Sequence, residues 1–459
     1  MGGERPPRGL GWVGAACVLA ACATSAGSGT APDAGDVPSL LGDGGAVCVG
    51  SELACRQVDC KAVGRPRTRL SGIVFDPAGV TPLYNVFVYV PTAKPDPIEP
   101  GHPRCAPCQA DATGHPLVYD STDAQGWFHI DDVPAGDDVP LVLQIGKWRR
   151  QIVVPHVDPC VDNTLLSPDL VRLPSKASEG DLPLIALATG CDAIECFLRS
   201  AGIDPSEFTG PEGPGHVHVY AGHYPGMTVP GMGDAYALWA DAARLSRYDL
   251  VLAACECATF PRDTEGPAYA AMKAYLDGGG RFYATHFHVN WFAPPTGPLP
   301  FESVATWGSG DQMSDPFIAD YVDTSFPRGL AFAQWLQAGH LSPEYGQVLL
   351  TDARDSVKQV ASATRWIYGA MSPTAPDYEA KYLSFNTPTT ATPQDQCGRA
   401  VFSDVHVSGT SDDPGVFPQE CAVRPDSHAI NELALEFLLF DLVSCVQDDS
   451  LGPTQPPAH

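Results

Sequence analysis

From Asp181 to Leu442, short apolar runs alternate with segments whose apolar residues recur at helical spacing, and this alternation constrains the fold more than any other feature of the chain. Leu184-Ile-Ala-Leu-Ala188 precedes a segment with Ile194, Phe197, Leu198 and Ala201 on one helical face, closed by Gly202. Val217-His-Val-Tyr220, a helix near Tyr236 to Leu245, Asp249-Leu-Val-Leu-Ala-Ala254 and a helix from Pro267 to Leu276 ended by Gly278-Gly-Gly280 follow. Arg281-Phe-Tyr-Ala-Thr285 and Arg399-Ala-Val-Phe-Ser403 are further strands, and Ser427 to Leu442 reads as a last helix burying Ile430, Leu433, Ala434, Phe437 and Leu438. Strands alternating with helices imply a parallel, doubly wound sheet, whose ligands bind beyond the carboxyl ends of the strands.

The residues expected at that edge carry chemistry. They are Thr189-Gly190-Cys191, Gly222-His223, Cys255-Glu256-Cys257, His286-Phe-His288 and Asp404-Val-His406. Imidazole, thiolate and carboxylate are the ligands of zinc and its neighbours, and a divalent metal is the one cofactor the pattern suggests, with His286, His288 and His406 as its candidate ligands. The catalytic candidates are His286, His406, Glu256 and Asp404, and the ligand-binding candidates are His223, His286, His288, His406 and Trp291. A Cys-His pair for nucleophilic chemistry is equally open. So is ordinary packing: His216, His218 and Tyr220 alternate on one strand, and Cys255 and Cys257 point to opposite faces of an extended segment. Either cysteine could instead be disulfide-bonded to Cys191 or Cys196.

Residues 69–175 read as an all-β sandwich of immunoglobulin- or transthyretin-like type. Gly72-Ile-Val-Phe75, Asn85-Val-Phe-Val-Tyr-Val90, Gly126-Trp-Phe-His-Ile130 and Leu141-Val-Leu-Gln-Ile145 are short strands parted by turns such as Asp76-Pro-Ala-Gly79 and Pro134-Ala-Gly136. The order of Gly72-x-Val, Asn85-Val-x-Val, Thr122-Asp-Ala-x-Gly-x-Phe128 and Val133-Pro-Ala-Gly136 resembles the carboxypeptidase regulatory-like domain. That resemblance implies a folding or adhesion accessory. Cys105-Ala-Pro-Cys108 has the spacing of a redox pair or half a zinc site. Its flanks of Pro, Gly and His102 favour structural disulfides, with Cys160 as a partner.

The N-terminus places Arg5 and Arg8 before an apolar stretch, Leu10 to Ala21, which ends in Leu19-Ala20-Ala21-Cys22. This is the layout of a secretion signal, too short to span a bilayer core, and it resembles the bacterial lipobox. By that resemblance residues 1–21 are a signal peptide and Cys22 is the lipid anchor, which implies the cell envelope, on the periplasmic or exposed side of an outer membrane. Residues 22–47 form a flexible tether, 48–68 a connector containing Cys48, Cys55 and Cys60, 181–446 the α/β domain, and 447–459 a disordered tail. A net charge of −27 disfavours nucleic-acid partners. Of fifteen cysteines, setting aside Cys17 in the leader and Cys22 leaves thirteen, so one thiol at least is free or a ligand. Cys397 and Cys421 bracket a loop that a disulfide between them could close.

Tyr248-Asp-Leu-Val-Leu252, Tyr275-Leu-Asp-Gly-Gly-Gly-Arg-Phe-Tyr-Ala-Thr-His286, Phe326-Pro-Arg-Gly-Leu330, Trp366 and Gly398-Arg-Ala-Val-Phe-Ser-Asp-Val-His406 resemble, in that order, the ThuA-like (trehalose-utilisation) branch of the class I glutamine amidotransferase-like superfamily. The resemblance implies a flavodoxin-like α/β domain with a polar crevice. A glutaminase needs a glycine-flanked cysteine, and Ala284-Thr-His286 has His where it would lie, so the usual amide-hydrolysing triad is not expected. Two functions are open, the first favoured and the second its alternative. One is a non-catalytic binding module for a carbohydrate or surface partner, using Trp291, Phe292, Trp307 and Trp366. The other is a metal-assisted extracellular hydrolase of glycan or peptide, with Glu256 or Asp404 as base.

Overall fold

Strands β1 (Arg69–Ile73), β2 (Phe87–Pro91), β3 (Pro116–Ser121), β4 (Trp127–Asp131), β5 (Gly136–Ile145), β6 (Trp148–Val157) and β7 (Asp162–Leu165) form two sheets, ordered β3-β2-β5-β6 and β4-β1-β7. Along β6 buried and exposed residues alternate, with Ile152 and Val154 turned inward, as expected of a strand with one solvated face. Inward residues of both sheets, among them Leu70, Val88, Phe128 and Leu141, share one apolar cluster. The computed structural model describes residues 50–105, 112–258, 266–293, 301–339, 341–407, 415–419, 421 and 429–453. The expected signal peptide, the expected anchor Cys22, the expected tether, Cys48, Cys108 and residues 454–459 lie outside them.

The second part contains β8 (Ile185–Thr189), α1 (Ile194–Ser200), β9 (Val217–Ala221), β10 (Leu250–Ala253), α2 (Pro267–Asp277), β11 (Arg281–Thr285), β12 (Asp320–Val322), α3 (Pro327–Ala338), β13 (Thr364–Ser372), β14 (Ala375–Thr387), β15 (Gly398–Ser403) and α4 (Ala429–Val443). Strands β9-β8-β10-β11-β15 are neighbours in that order and all parallel. The order in which strands are added therefore reverses between β8 and β10, the point at which such a parallel sheet opens its crevice. These strands are buried along nearly their whole length, which explains their unbroken apolar runs. Beyond β15 the sheet continues antiparallel through β14, β13 and β12. The helix expected from Tyr236 to Leu245 is two short ones, Ala235–Trp239 and Ala242–Leu245, because the Asp241 side chain accepts from the N–H groups of Ala243 and Arg244 and starts a new helix.

The two parts share a core. The cluster that fills the sandwich runs on through Ile185, Leu252 and Leu439, and Trp148 of β6 packs against Phe440 of α4. Disulfides join Cys60 to Cys160, Cys105 to Cys397, Cys191 to Cys257 and Cys196 to Cys421, while Cys55 and Cys445 are also disulfide-bonded. The expected closure of a loop by Cys397 and Cys421 is thus replaced by two bridges to distant segments. Cys397 ends up beside the loop that precedes β3, and Cys421 beside α1. Cys160 likewise pairs with Cys60 and not with the 105–108 segment. Cross-links over such long loops each restrict the unfolded chain by roughly 4–6 kcal/mol in the chain-entropy account. They mark an extracellular or periplasmic protein. No helix among the described residues is long and apolar enough to cross a membrane.

A carboxyl pair joins the two parts. Asp76, in the turn after β1, and Glu436 of α4 are buried and interact with each other, and Glu436 Oε2 accepts from the Thr81 hydroxyl. Burial, then the charge of Asp76, pushes Glu436 well above the usual carboxylate range; burial raises Asp76 also, against the N–H groups of Val80 and Thr81. The folded protein therefore keeps a proton that the unfolded chain releases near pH 4.3, and this pair weakens the fold as pH rises above that value. Glu436→Gln, which fixes the neutral form, should stabilise the protein at pH 8 by roughly 1 kcal/mol or more and leave it nearly unchanged at pH 4, read by thermal unfolding at both values.

Candidate functional site

Cys255, the one free thiol among the described cysteines, stands two residues beyond the end of β10 and is fully buried. Its N–H donates to Thr285 Oγ1 at 2.7 Å, which ties it to the end of β11. The next residue of that strand end, His286, brings Nδ1 to 3.4 Å from Cys255 Sγ. His406, beyond β15, meets His286 ring to ring with centroids 4.6 Å apart. One ligand atom from each of Cys255, His286 and His406 lies within 4.8 Å of the others. Three strand ends thus converge at the crevice where the strand order reverses.

Both imidazoles are held from behind. His406 Nδ1 bonds Asp192 Oδ1 at 2.7 Å, and Asp192 is fully buried just past β8. His286 Nε2 lies 3.3 Å from the carbonyl oxygen of Gly310. Each ring therefore has one nitrogen committed to a protein acceptor and the other available at the cluster. This is the support that metal-binding histidines require to fix tautomer and direction. His286 has φ of 35°, a left-handed conformation that costs a non-glycine residue on the order of 1 kcal/mol or more and that collects at functional sites. Asp192 Oδ2 is buried without a hydrogen-bond partner among the described residues, so its charge is answered chiefly by His406.

The electrostatics follow from burial and this carboxylate. Burial, and then the neighbouring His406, lowers His286 to about 3, leaving its lone pair free to coordinate. Burial pushes the Cys255 thiol up, while His406 pulls it down. For His406 burial opposes the charge, but Asp192 and then Cys255 outweigh it and push the group up to about 11. With no cation beside it the cluster carries its proton on His406, and a bound cation would displace that proton along with the thiol's.

The other expected site residues lie elsewhere. His288 turns away on the helical turn His286–Trp291; its Nε2 bonds the Ala254 carbonyl at 2.9 Å, its ring packs near Trp239, and it is outside the cluster. Asp404 is fully buried and accepts from Ser356 N–H and Oγ, both at 2.6 Å, which commits it to holding Ser356 beneath Gly310. Glu256 is buried at the strand-end edge, and its Oε1 lies 3.4 Å from the N–H of the exposed His223. Trp291, Phe292 and Trp366 are buried in apolar clusters, so they give no open aromatic surface at this edge. Cys257 is bonded to Cys191, a bridge between the segments that carry Cys255 and Asp192. Asp192 was not among the sequence candidates. The pointer to it was its place directly after Thr189-Gly190-Cys191, where a side chain at a strand end enters the crevice.

No family model matches the chain, and no curated protein matches it. Among solved structures, a ThuA-like protein of Bacteroides uniformis aligns at 9% identity over 56% of this chain and 89% of its own, with a TM-score of 0.30. Two cohesin–X-dockerin complexes of Acetivibrio cellulolyticus align at 15% identity, with TM-scores of 0.16 and 0.15, over 28% and 31% of this chain and 79% and 75% of theirs. At these scores none of the three carries an argument about this chain.

Gly190 is the packing constraint on the site. A Cβ there would lie 2.3 Å from the carbonyl oxygen of Cys255 and 2.8 Å from that of Ala254. Backbone must move to admit it, and the moving segments carry Cys255 and Asp192. Gly190→Ala should cost roughly 2–3 kcal/mol in thermal unfolding, whereas Gly231→Ala, which meets nothing within 4 Å but sits at φ of 73°, should cost about 1 kcal/mol.

Proposed function

We propose that the chain is an exported, lipid-anchored envelope protein whose flavodoxin-like, ThuA-like α/β part binds a zinc-class ion through Cys255, His286 and His406 and serves as a metal-assisted hydrolase. The observation that carries this reading is the convergence of three ligand atoms within 4.8 Å, with both imidazoles braced from behind by Asp192 and Gly310. One thiolate and two imidazoles suit zinc or copper and suit magnesium or calcium poorly. Cys255, His286 and His406 would hold the ion, and the chemistry it would supply is acidification of a water for hydrolysis of a glycan or peptide. Asp192 holds the proton on His406 Nδ1 and so keeps Nε2 toward the cluster. Gly310 does the same for His286 from its Nε2 side. Of the two carboxylates expected as base, Asp404 has both oxygens engaged by Ser356, and Glu256 is buried at the strand-end edge. The anchor rests on Leu19-Ala20-Ala21-Cys22, and the flavodoxin-like assignment on the order β9-β8-β10-β11-β15.

A second reading is favoured by one observation: Asp192, His406 and Cys255 follow one another as acid, base and thiol in a nucleophilic triad. Against it, Cys255 is wholly buried, and a second histidine crowds the sulfur.

The full-length protein, purified from an oxidising compartment without a metal-affinity tag, should carry about one equivalent of zinc or copper, lost in Cys255→Ser and in His406→Ala. Chelation should abolish hydrolysis of a nitrophenyl ester and expose Cys255 to iodoacetamide, and zinc should reverse both. A metal-free, folded protein that hydrolyses the ester and loses that activity on alkylation would put the triad in its place.

A further inference from the structure

Ala188 and Ala253 are the last paired residues of β8 and β10, and beyond them run the segments that carry Asp192 and Cys255. The N–H groups of Cys191 and Asp192 both donate to the Cys255 carbonyl, and Gly190 packs against that same carbonyl. The Cys191–Cys257 disulfide then ties the two segments covalently, with one sulfur next to Asp192 in sequence and the other two residues past Cys255.

This bridge has an outer end. Cys257 is exposed and Cys191 half-buried, whereas Cys255 is fully buried. Cys60 and Cys160 are both buried, and so is Cys196. Cys105 is exposed as well, but its partner Cys397 precedes β15, at the edge of the sheet opposite His406. Disulfides with an exposed end are the ones that thiols open most readily.

Cys257 also has φ of 58°, a left-handed conformation that residues other than glycine adopt rarely. The tie to Cys191 holds it there, and cutting the tie lets the backbone return to negative φ. Cys255 and Asp192 then lose one of the constraints that set their separation, and through Asp192 the direction of His406 is loosened too. The spacing that suits an ion becomes one of several, and the apparent affinity falls with the fraction of chains that still hold it.

We propose that Cys191–Cys257 is a redox clasp on the metal site, opened at Cys257 by a dithiol protein so that the ion is released. The proposal rests on the metal reading and adds its control. In the opening step a thiolate of the reductant attacks Cys257 Sγ, the S–S bond breaks, and the electron pair leaves on Cys191 Sγ, which takes up a proton. The second thiol of the reductant gives up its proton and attacks the mixed disulfide, which frees Cys257 as a thiol. The protein gains two thiols and the reductant departs as a disulfide; the reverse exchange closes the clasp.

Zinc affinity, read by competition with a chromophoric chelator, tests this on the full-length oxidised protein and two double variants. Cys191→Ala with Cys257→Ala should weaken zinc binding by about tenfold or more, and Cys105→Ala with Cys397→Ala should leave it within about twofold. A second measurement covers a first variant that does not fold: a phosphine reductant, standing in for the dithiol, is added to the zinc-loaded wild type, and samples are alkylated and mapped by mass. Zinc should be released as Cys191 and Cys257 become labelled, while Cys60 and Cys160 remain bridged. Equal or tighter zinc binding in a folded Cys191→Ala, Cys257→Ala protein overturns the proposal and leaves the metal reading standing. Zinc that stays bound after that bridge has opened does the same. Failure of the oxidised wild type to bind zinc at all overturns both.

Discussion

The contact between His406 Nδ1 and Asp192 Oδ1 is the one on which the candidate site depends. It joins the segment after β15 to the segment after β8, across the point where the strand order reverses. Without it, His406 has no fixed tautomer and Asp192 is a buried carboxylate without its cation, which typically costs 3–5 kcal/mol. With it, the only imidazole nitrogen left to His406 faces the cluster that contains Cys255 and His286. The Cys191–Cys257 bridge and the close packing of Gly190 on the Cys255 carbonyl hold the two segments at the spacing this contact requires.

The rest of the fold supplies rigidity around that point. The sandwich shares its core with the α/β part, and Lys147–Asp249 and Arg149–Asp181 link the β5–β6 hairpin to it through ion pairs of 2.6 and 2.8 Å. Ser356 and Gly310 flank a separate two-stranded sheet, Ala305–Trp307 with Val357–Val360, and act on the site through a relay. Asp404, at the end of β15, fixes Ser356, against which Gly310 packs, and Gly310 fixes His286. A buried polar chain of this kind positions a ring more narrowly than packing alone, because each member is satisfied only in one arrangement.

Much of this was legible in the sequence, for stated reasons. The parallel strands announced themselves because strands buried on both faces must be apolar throughout, as in Leu250–Ala253. The strand-end positions of Cys255, His286 and His406 followed from those runs, and the odd cysteine count foretold a free thiol without saying which. What the sequence hid depends on tertiary approach. Disulfide partners such as Cys105 and Cys397 are 292 residues apart and carry no local signal. The divergence of His288 from His286 comes from a helical turn that begins at His286, where an extended reading would keep both on one face. β13 and β14 mix polar and apolar residues with register shifts, so their period is blurred.

X-ray absorption at the metal edge of the full-length protein, purified in its oxidised form, addresses the central claim most directly. The account predicts one sulfur at about 2.3 Å and two imidazole nitrogens at about 2.0–2.1 Å, with a light atom completing four-coordination. An all-oxygen or six-coordinate shell, or a metal that keeps its sulfur in Cys255→Ser, would contradict it.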